Sequence, residues 1–223
     1  MRTRPLRLPT DDRGITAAEM LVSSALVLVF LPLAGIVVSS AVTTQREVRA
    51  TTDAGMAAQL VAASVEDGVR FAGTVRLDPW SATHANERLV VSTRAGTASV
   101  YTAVCQAWFY DAANETLSTK RVPAGPAAPG ALAEPVTREE RETWTVLAEG
   151  VTRRPVDPSQ VDGQMRPLFT HSTTPTAGTV TLDLRLPTSP RAVGEVVTSR
   201  DAVVVSTSVT TRSPRDITRS PCS

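Results

Sequence analysis

No charged residue occurs between Glu19 and Arg46, and the stretch from Met20 to Val38 is almost wholly apolar. About 20 such residues cross a bilayer as a helix. A single span in lipid has no other way to satisfy its own backbone hydrogen bonds. This segment divides the chain into a short leader, one span and an extracytoplasmic remainder. Pro32 and Gly35 interrupt the run as helix breakers. Proline lacks an N–H and its ring clashes with the preceding turn, so a kink or local melting is expected near Ala25–Pro32. Arg2, Arg4, Arg7 and Arg13 precede the span, whereas Arg46 and Arg49 follow it. The surplus ahead of the span favours a cytoplasmic N-terminus.

Glu19 is a lone acid just inside the start of this run. A charge near the centre of a membrane helix costs on the order of 2.5–3.5 kcal/mol, which makes an acid here a functional signal. It stands five residues after Gly14, in Gly14-Ile15-Thr16-Ala17-Ala18-Glu19-Met20-Leu21-Val22. The stretch resembles the class III signal of type IV prepilins and pseudopilins, through Gly14, Thr16, Glu19, Met20, Leu21 and Val22. It departs from that pattern at Ile15, where the family usually has Phe, and at Ala17-Ala18, where it usually has Leu-Ile. The resemblance implies cleavage after Gly14 by a prepilin peptidase and N-methylation of Ile15. It also implies pairing of Glu19 with the N-terminal amine of a neighbouring subunit during assembly. The implied partners are the prepilin peptidase, other pilin subunits in a filament, an inner-membrane assembly platform and membrane lipid. The implied location is the cytoplasmic membrane, then a filament outside it.

Two other readings stay open at this point. Ser39-Ser40-Ala41 offers an A-x-A-like site for ordinary signal peptidase, though the apolar region exceeds the usual 7–15 residues. A plain signal anchor accounts for the span. Neither gives Glu19 a role. Under both, the remainder is an anchored or secreted binding module.

The resemblance divides the chain into a leader (1–14), a membrane or filament-core helix (15–42), its amphipathic continuation (43–72) and a β-rich domain (73–223). Val48, Met56, Leu60, Val61, Ala63, Val65 and Val69 recur at helical spacing after the span. The 56, 60, 63 and 61, 65, 69 sets are expected on one broad face, weakened by Gly55 and Gly68. A helix from Ile15 to Phe71 would be roughly 85 Å long at 1.5 Å per residue. From Gly73 the pattern changes to strands rich in β-branched and aromatic residues. The candidates are 88–93, 99–110, 116–122, 144–147 with 150–151, 179–186 and 202–211. The 111–115 segment is a turn, Pro123–Gly130 an exposed low-complexity loop, and Arg138–Trp144 a short charged helix. This order predicts an α+β fold, one long N-terminal helix packed on an antiparallel β-sheet. It resembles the larger minor pilins and pseudopilins of the PilW and GspJ kind, which favours a minor component over the repeating subunit.

The chain has 223 residues and a net charge of +1, so bulk electrostatics single out no polyanionic partner and nucleic acid is not claimed. Lys120 is the only lysine, an arginine bias typical of GC-rich, actinobacterial-type genomes. Cys105 and Cys222 can pair outside the cytoplasm. His84 and His171 both read as solvated loop histidines, His171 in a Thr/Ser/Pro loop, with no partner at metal-ligand spacing. Asp111, Asn114 and Glu115 lack the carboxylate density of a calcium loop and read as a hairpin turn. No nucleophile, phosphate or Cys-x-x-Cys motif is present. No catalytic residue, metal or cofactor is expected, and the chain reads as a non-enzyme.

Overall fold

The computed structural model describes residues 16–79, 81, 85–97, 100–156, 164–174, 177–188, 202–211 and 222. The leader with Gly14 and Ile15 lies outside them, as does His84. The chain falls into two units, Met1–Arg46 and Glu47–Ser223. Helix α1, Ala17–Arg70, belongs to both.

In the first unit every side chain from Thr16 onward is exposed, including the apolar run. The helix continues through Pro32 and Gly35 without local melting, and the expected kink is compatible with that continuity. One proline removes a single hydrogen bond from a ladder that is intact on both sides, and that bends a helix more often than it ends one. Three of the small polar residues bond back to the helix's own carbonyls. Ser24 donates to the Leu21 carbonyl at 3.0 Å, Thr43 to Ser39 at 3.0 Å and Thr44 to Ser40 at 3.1 Å. Hydroxyls that fold back on the preceding turn leave no polar group seeking water.

In the second unit α1 runs to Arg70, which pairs with Glu66 one turn earlier. Its buried stripe is Ala54, Ala58, Val61, Val65, Gly68 and Val69. The expected face is half right, since Met56 and Leu60 are exposed (58% and 53%). Side-chain size explains the difference. Ala54, Ala58 and Gly68 let the helix approach the sheet closely, whereas Met56 and Leu60 lie on the opposite side. An added Cβ at Gly68 would meet the Trp108 ring, so this glycine is a packing requirement.

The strands form two antiparallel sheets rather than the single one expected. The first has the order β1 (Thr74–Asp78), β2 (Glu87–Thr97), β3 (Val100–Asp111), β4 (Thr116–Pro123), β5 (Thr145–Glu149). The second joins β6 (Phe169–Thr174), β7 (Ala177–Pro187) and β8 (Ala202–Thr210), with β7 central. Strands β1 and β6 were not foreseen. His171 is therefore on β6, not in a loop, paired with Val180. Gly150 and Val151 leave the sheet after β5, with Gly150 at φ 69°. Helices α2 (Ala128–Ala131) and α3 (Arg138–Glu142) lie between β4 and β5. Helix α2 falls inside the presumed exposed loop, where Ala128 and Leu132 are buried. The α3 start carries a capping box, with Glu140 N–H donating to Thr137 Oγ1 and Glu140 Oε2 accepting from Thr137 N–H.

Alternation along β3 builds two cores. Trp108 and Tyr110 face a cluster with Val61, Val65, Leu89, Val91, Phe169, Leu182 and Leu184. Cys105, Ala107 and Phe109 face a smaller cluster with Val90, Leu132, Trp144 and Cys222. The Phe109 and Trp144 rings stand 5.9 Å apart. The first sheet is thus covered on both faces, which explains why β3 reads as a nearly continuous apolar and aromatic run.

Candidate functional site

The N-terminal turn of α1 places the residue on which the sequence reading turns. Helix α1 begins after Thr16, so Glu19 lies in its first turn. The Glu19 N–H donates to the Thr16 carbonyl at 3.0 Å and faces Thr16 Oγ1 at 3.4 Å. Thr16 therefore occupies the capping position, three residues ahead of an acid, the spacing of a capping box. An acid here also complements the positive end of the helix dipole, worth about 0.3–1 kcal/mol at an exposed start. The Thr-x-x-Glu spacing was legible in the sequence and was not used. Both contacts engage the Glu19 backbone, and it is the helix dipole that gives its carboxylate a favourable place in its own helix, which the signal-anchor reading had lacked. Apart from Glu19, α1 carries no charge before Arg46, and it alone among the described helices is long and apolar enough to cross a membrane.

The structure brings Cys105 and Cys222 together as a disulfide, with Cα atoms 5.5 Å apart and a sequence separation of 117. Both are buried in the smaller core. The bond fastens Cys222 to the middle of β3.

Asp111 and Asn114 meet at the β3–β4 turn, but the carboxylate oxygens of Asp111 are already engaged. Asp111 Oδ1 accepts from the N–H groups of Ala113 and Asn114 at 3.0 and 3.1 Å. Its Oδ2 accepts from Asn114 Nδ2 at 2.7 Å and lies 3.4 Å from Arg141 Nε. Glu115 adopts φ 52° to close the turn. Among the described residues no three His, Cys, Asp or Glu side chains gather as metal ligands do. His171 is half-buried, and desolvation holds its imidazole pKa below the usual value.

Sequence reasoning missed a buried ionic contact between the two sheets. Glu87, at the start of β2, is fully buried; its Oε1 accepts from Arg153 Nε at 2.7 Å, and its Oε2 from the Phe169 N–H of β6 at 3.0 Å. The Arg153 guanidinium also stacks 5.1 Å from the Tyr110 ring centre, and Tyr110 donates to the Val151 carbonyl at 3.1 Å. One carboxylate thus ties β2, β6 and the segment after β5. Its partners are all protein groups fixed by packing, the arrangement of a structural tie. Only the isolated acid in an apolar strand (Glu87 before Arg88-Leu89-Val90-Val91) hinted at it.

Comparison with protein-family models, with curated proteins and with solved structures gives no match.

Proposed function

We propose that this chain is a pilin-like filament subunit, a minor pilin or pseudopilin of a type IV pilus or a type II secretion-like filament. The observation that carries the reading is Glu19. It is the only charge on α1 before Arg46, it sits in the first turn, and it follows Gly14 by five residues. In the proposed mechanism the prepilin peptidase removes residues 1–14 and frees the amine of Ile15. In the filament, Glu19 pairs with that amine on an adjacent subunit. Pairing in a low-dielectric core offsets part of the desolvation cost of both charges and sets axial register. The exposed apolar side chains of residues 20–42 supply the remaining attraction. The β-rich unit faces outward and carries specificity, and the assembly platform and lipid are partners on the way.

The N-terminal sequence and mass of the mature protein from membranes test this reading. A start at Ile15, with or without one methyl group, is the expected result. A start near Val42 or an intact Met1 overturns it. Glu19→Ala is expected to be processed normally and to fail in assembly.

A second reading, a membrane-anchored binding module, is favoured by the first-turn position of Glu19, where the helix dipole accounts for an acid without a filament. It expects Glu19→Ala to be indifferent for localisation and function.

A further inference from the structure

We propose that β8 is a pairing edge for a second copy of this chain, so that two chains join by antiparallel β8–β8 contact about Ser206. The contact stands independently of the filament reading. The two sheets end in four edge strands, β1, β5, β6 and β8. An edge presents unpaired N–H and C=O groups to any approaching strand, and charge, shortness, a bulge or a covering element normally blunts it. Three of the edges are blunted in this way. Strand β1 carries Arg76 and Asp78. Strand β5 has five residues, ends in Glu149 and pairs with β4 through an irregular register. Strand β6 lies against β1 and β2, and the Phe169 N–H at its start is taken by the Glu87 carboxylate. Strand β8 is different. It runs for nine residues, Ala-Val-Val-Val-Ser-Thr-Ser-Val-Thr, with no charge and no proline. Its register with β7 is unbroken from Ala202 to Thr210. Among the described residues β7 is its only strand partner.

The phase of the β7–β8 ladder fixes which groups face the open edge. Thr211 N–H donates to the Gly178 carbonyl at 3.0 Å, in register with the pairs before it. In an antiparallel ladder both backbone groups of a residue point to one side, and the side alternates along the strand. The odd-numbered residues of β8 therefore bond to β7, while Ala202, Val204, Ser206, Ser208 and Thr210 turn N–H and C=O to the edge. A copy of β8 placed antiparallel about Ser206 sets Ser206 against its own counterpart, Val204 against Ser208 and Ala202 against Thr210. Each of these pairs has edge-facing groups on both sides and can exchange both hydrogen bonds. The side chains fit the same register. Val204, Ser206, Ser208 and Thr210 are exposed on the outer face, where small hydroxyls and valine meet with no like charge opposed. On the inner face Val203 meets Val209 and Val205 meets Thr207. Val203 and Val205 pack on the main core yet are only half-buried, so a partner strand finishes covering them. The same operation on β1 sets Arg76 against its own copy, and like charges directly opposite are destabilising. Charge and register together thus select β8 itself as the occupant, in the isologous contact of a two-fold dimer.

The test is cysteine cross-linking of the full chain in non-ionic detergent. Opposed residues of a hydrogen-bonded antiparallel pair have Cα atoms about 5.5 Å apart, within the roughly 4.4–6.8 Å that a disulfide spans. Under mild oxidation S206C is expected to form a covalent dimer. S208C should not link to itself, whereas a mixture of V204C and S208C chains should cross-link. The native Cys105–Cys222 pair is buried and already bonded, so it does not compete. S172C, exposed on β6, reports the rate of chance collision. S206K sets two cations face to face on the axis and should weaken the dimer seen by sedimentation several-fold, with the circular dichroism unchanged. Should S206K lose its native fold, the cross-linking pattern alone decides. A monomer in sedimentation, S206C linking no faster than S172C, S208C linking to itself as fast as S206C, or a folded S206K dimer of undiminished affinity overturns the proposal.

Discussion

Two glycines in α1 should answer the same substitution with opposite signs. Replacing a helix-interior glycine by alanine ordinarily stabilises by about 0.8–1 kcal/mol, because alanine has less backbone freedom to lose. At Gly55 an added Cβ meets nothing within 4 Å, so Gly55→Ala is expected to deliver about that gain. At Gly68 the same methyl would come within 2.9 Å of Trp108 Cζ2 and closer still to Cη2. The indole has little room to retreat. It is fully buried, and its N–H donates to Ser64 Oγ on the same helix at 3.0 Å. Overpacking of this kind costs about 1–3 kcal/mol, more than the propensity gain. Gly68→Ala should therefore destabilise by up to about 2 kcal/mol. The assay is urea unfolding of the full chain in detergent, followed by tryptophan fluorescence and near-ultraviolet circular dichroism. In a Trp108→Phe background the penalty at Gly68 should shrink, since the benzo ring it faces is gone. A Gly68→Ala variant that gains as much as Gly55→Ala would refute the close contact between α1 and β3.

Removing the Glu87 carboxylate should be among the most damaging single changes. Glu87→Ala removes the counter-charge of Arg153 and the acceptor of the Phe169 N–H, a loss of about 3–5 kcal/mol for a broken buried pair. The double variant with Arg153→Ala should cost clearly less than the sum of the singles, and simple additivity in the unfolding midpoints would deny the coupling. Cys222→Ser releases a 117-residue closure and should cost up to about 5 kcal/mol in the chain-entropy account. The same loss should follow from a reductant, and an unchanged midpoint with fully alkylated thiols would contradict it. His171 has its pKa depressed by desolvation, so the unfolded chain takes up the proton first on acidification. Its stability contribution is complete above pH about 6.5 and is lost as pH falls toward the folded-state value. A pH series should show a slope below that point which His171→Gln removes, and identical slopes would exclude His171 as its source.

Legibility followed the range of the physics involved. Strands β3, β7 and β8 were readable because period-two alternation or β-branched enrichment is local. The extent of α1 was readable because its apolar pattern persists well past the span. Strand β6, Phe-Thr-His-Ser-Thr-Thr, was missed because its residues resemble a polar loop, and only pairing with β7 makes it a strand. The buried helix face was half missed because hydrophobicity ranks Met56 and Leu60 above Ala54, Ala58 and Gly68. Close approach to a sheet rewards the small residues instead. The cysteines could be paired by number alone. The Glu87 contact could not, since its members lie far apart in sequence and each reads singly as a solvated charge.

Glu19 carries two physical accounts, and they call for different chemistry. As a first-turn cap partner it has to be polar and at the third helical position. Glutamine serves that role nearly as well as glutamate. As the partner of a neighbouring amine it has to be an anion, since a neutral amide leaves a desolvated ammonium with no counter-charge. Glu19→Gln therefore separates the accounts more sharply than Glu19→Ala, which disturbs both. Thr16→Ala provides the converse, because it removes the hydroxyl that faces the Glu19 N–H at 3.4 Å and keeps the carboxylate. The proposed filament role expects Glu19→Gln to be cleaved after Gly14 yet absent from sheared filaments, with Thr16→Ala assembling close to normally. Measuring both variants in membrane and filament fractions decides between them. Normal assembly of Glu19→Gln would mean that charge is dispensable, and the proposed pairing would fall with it.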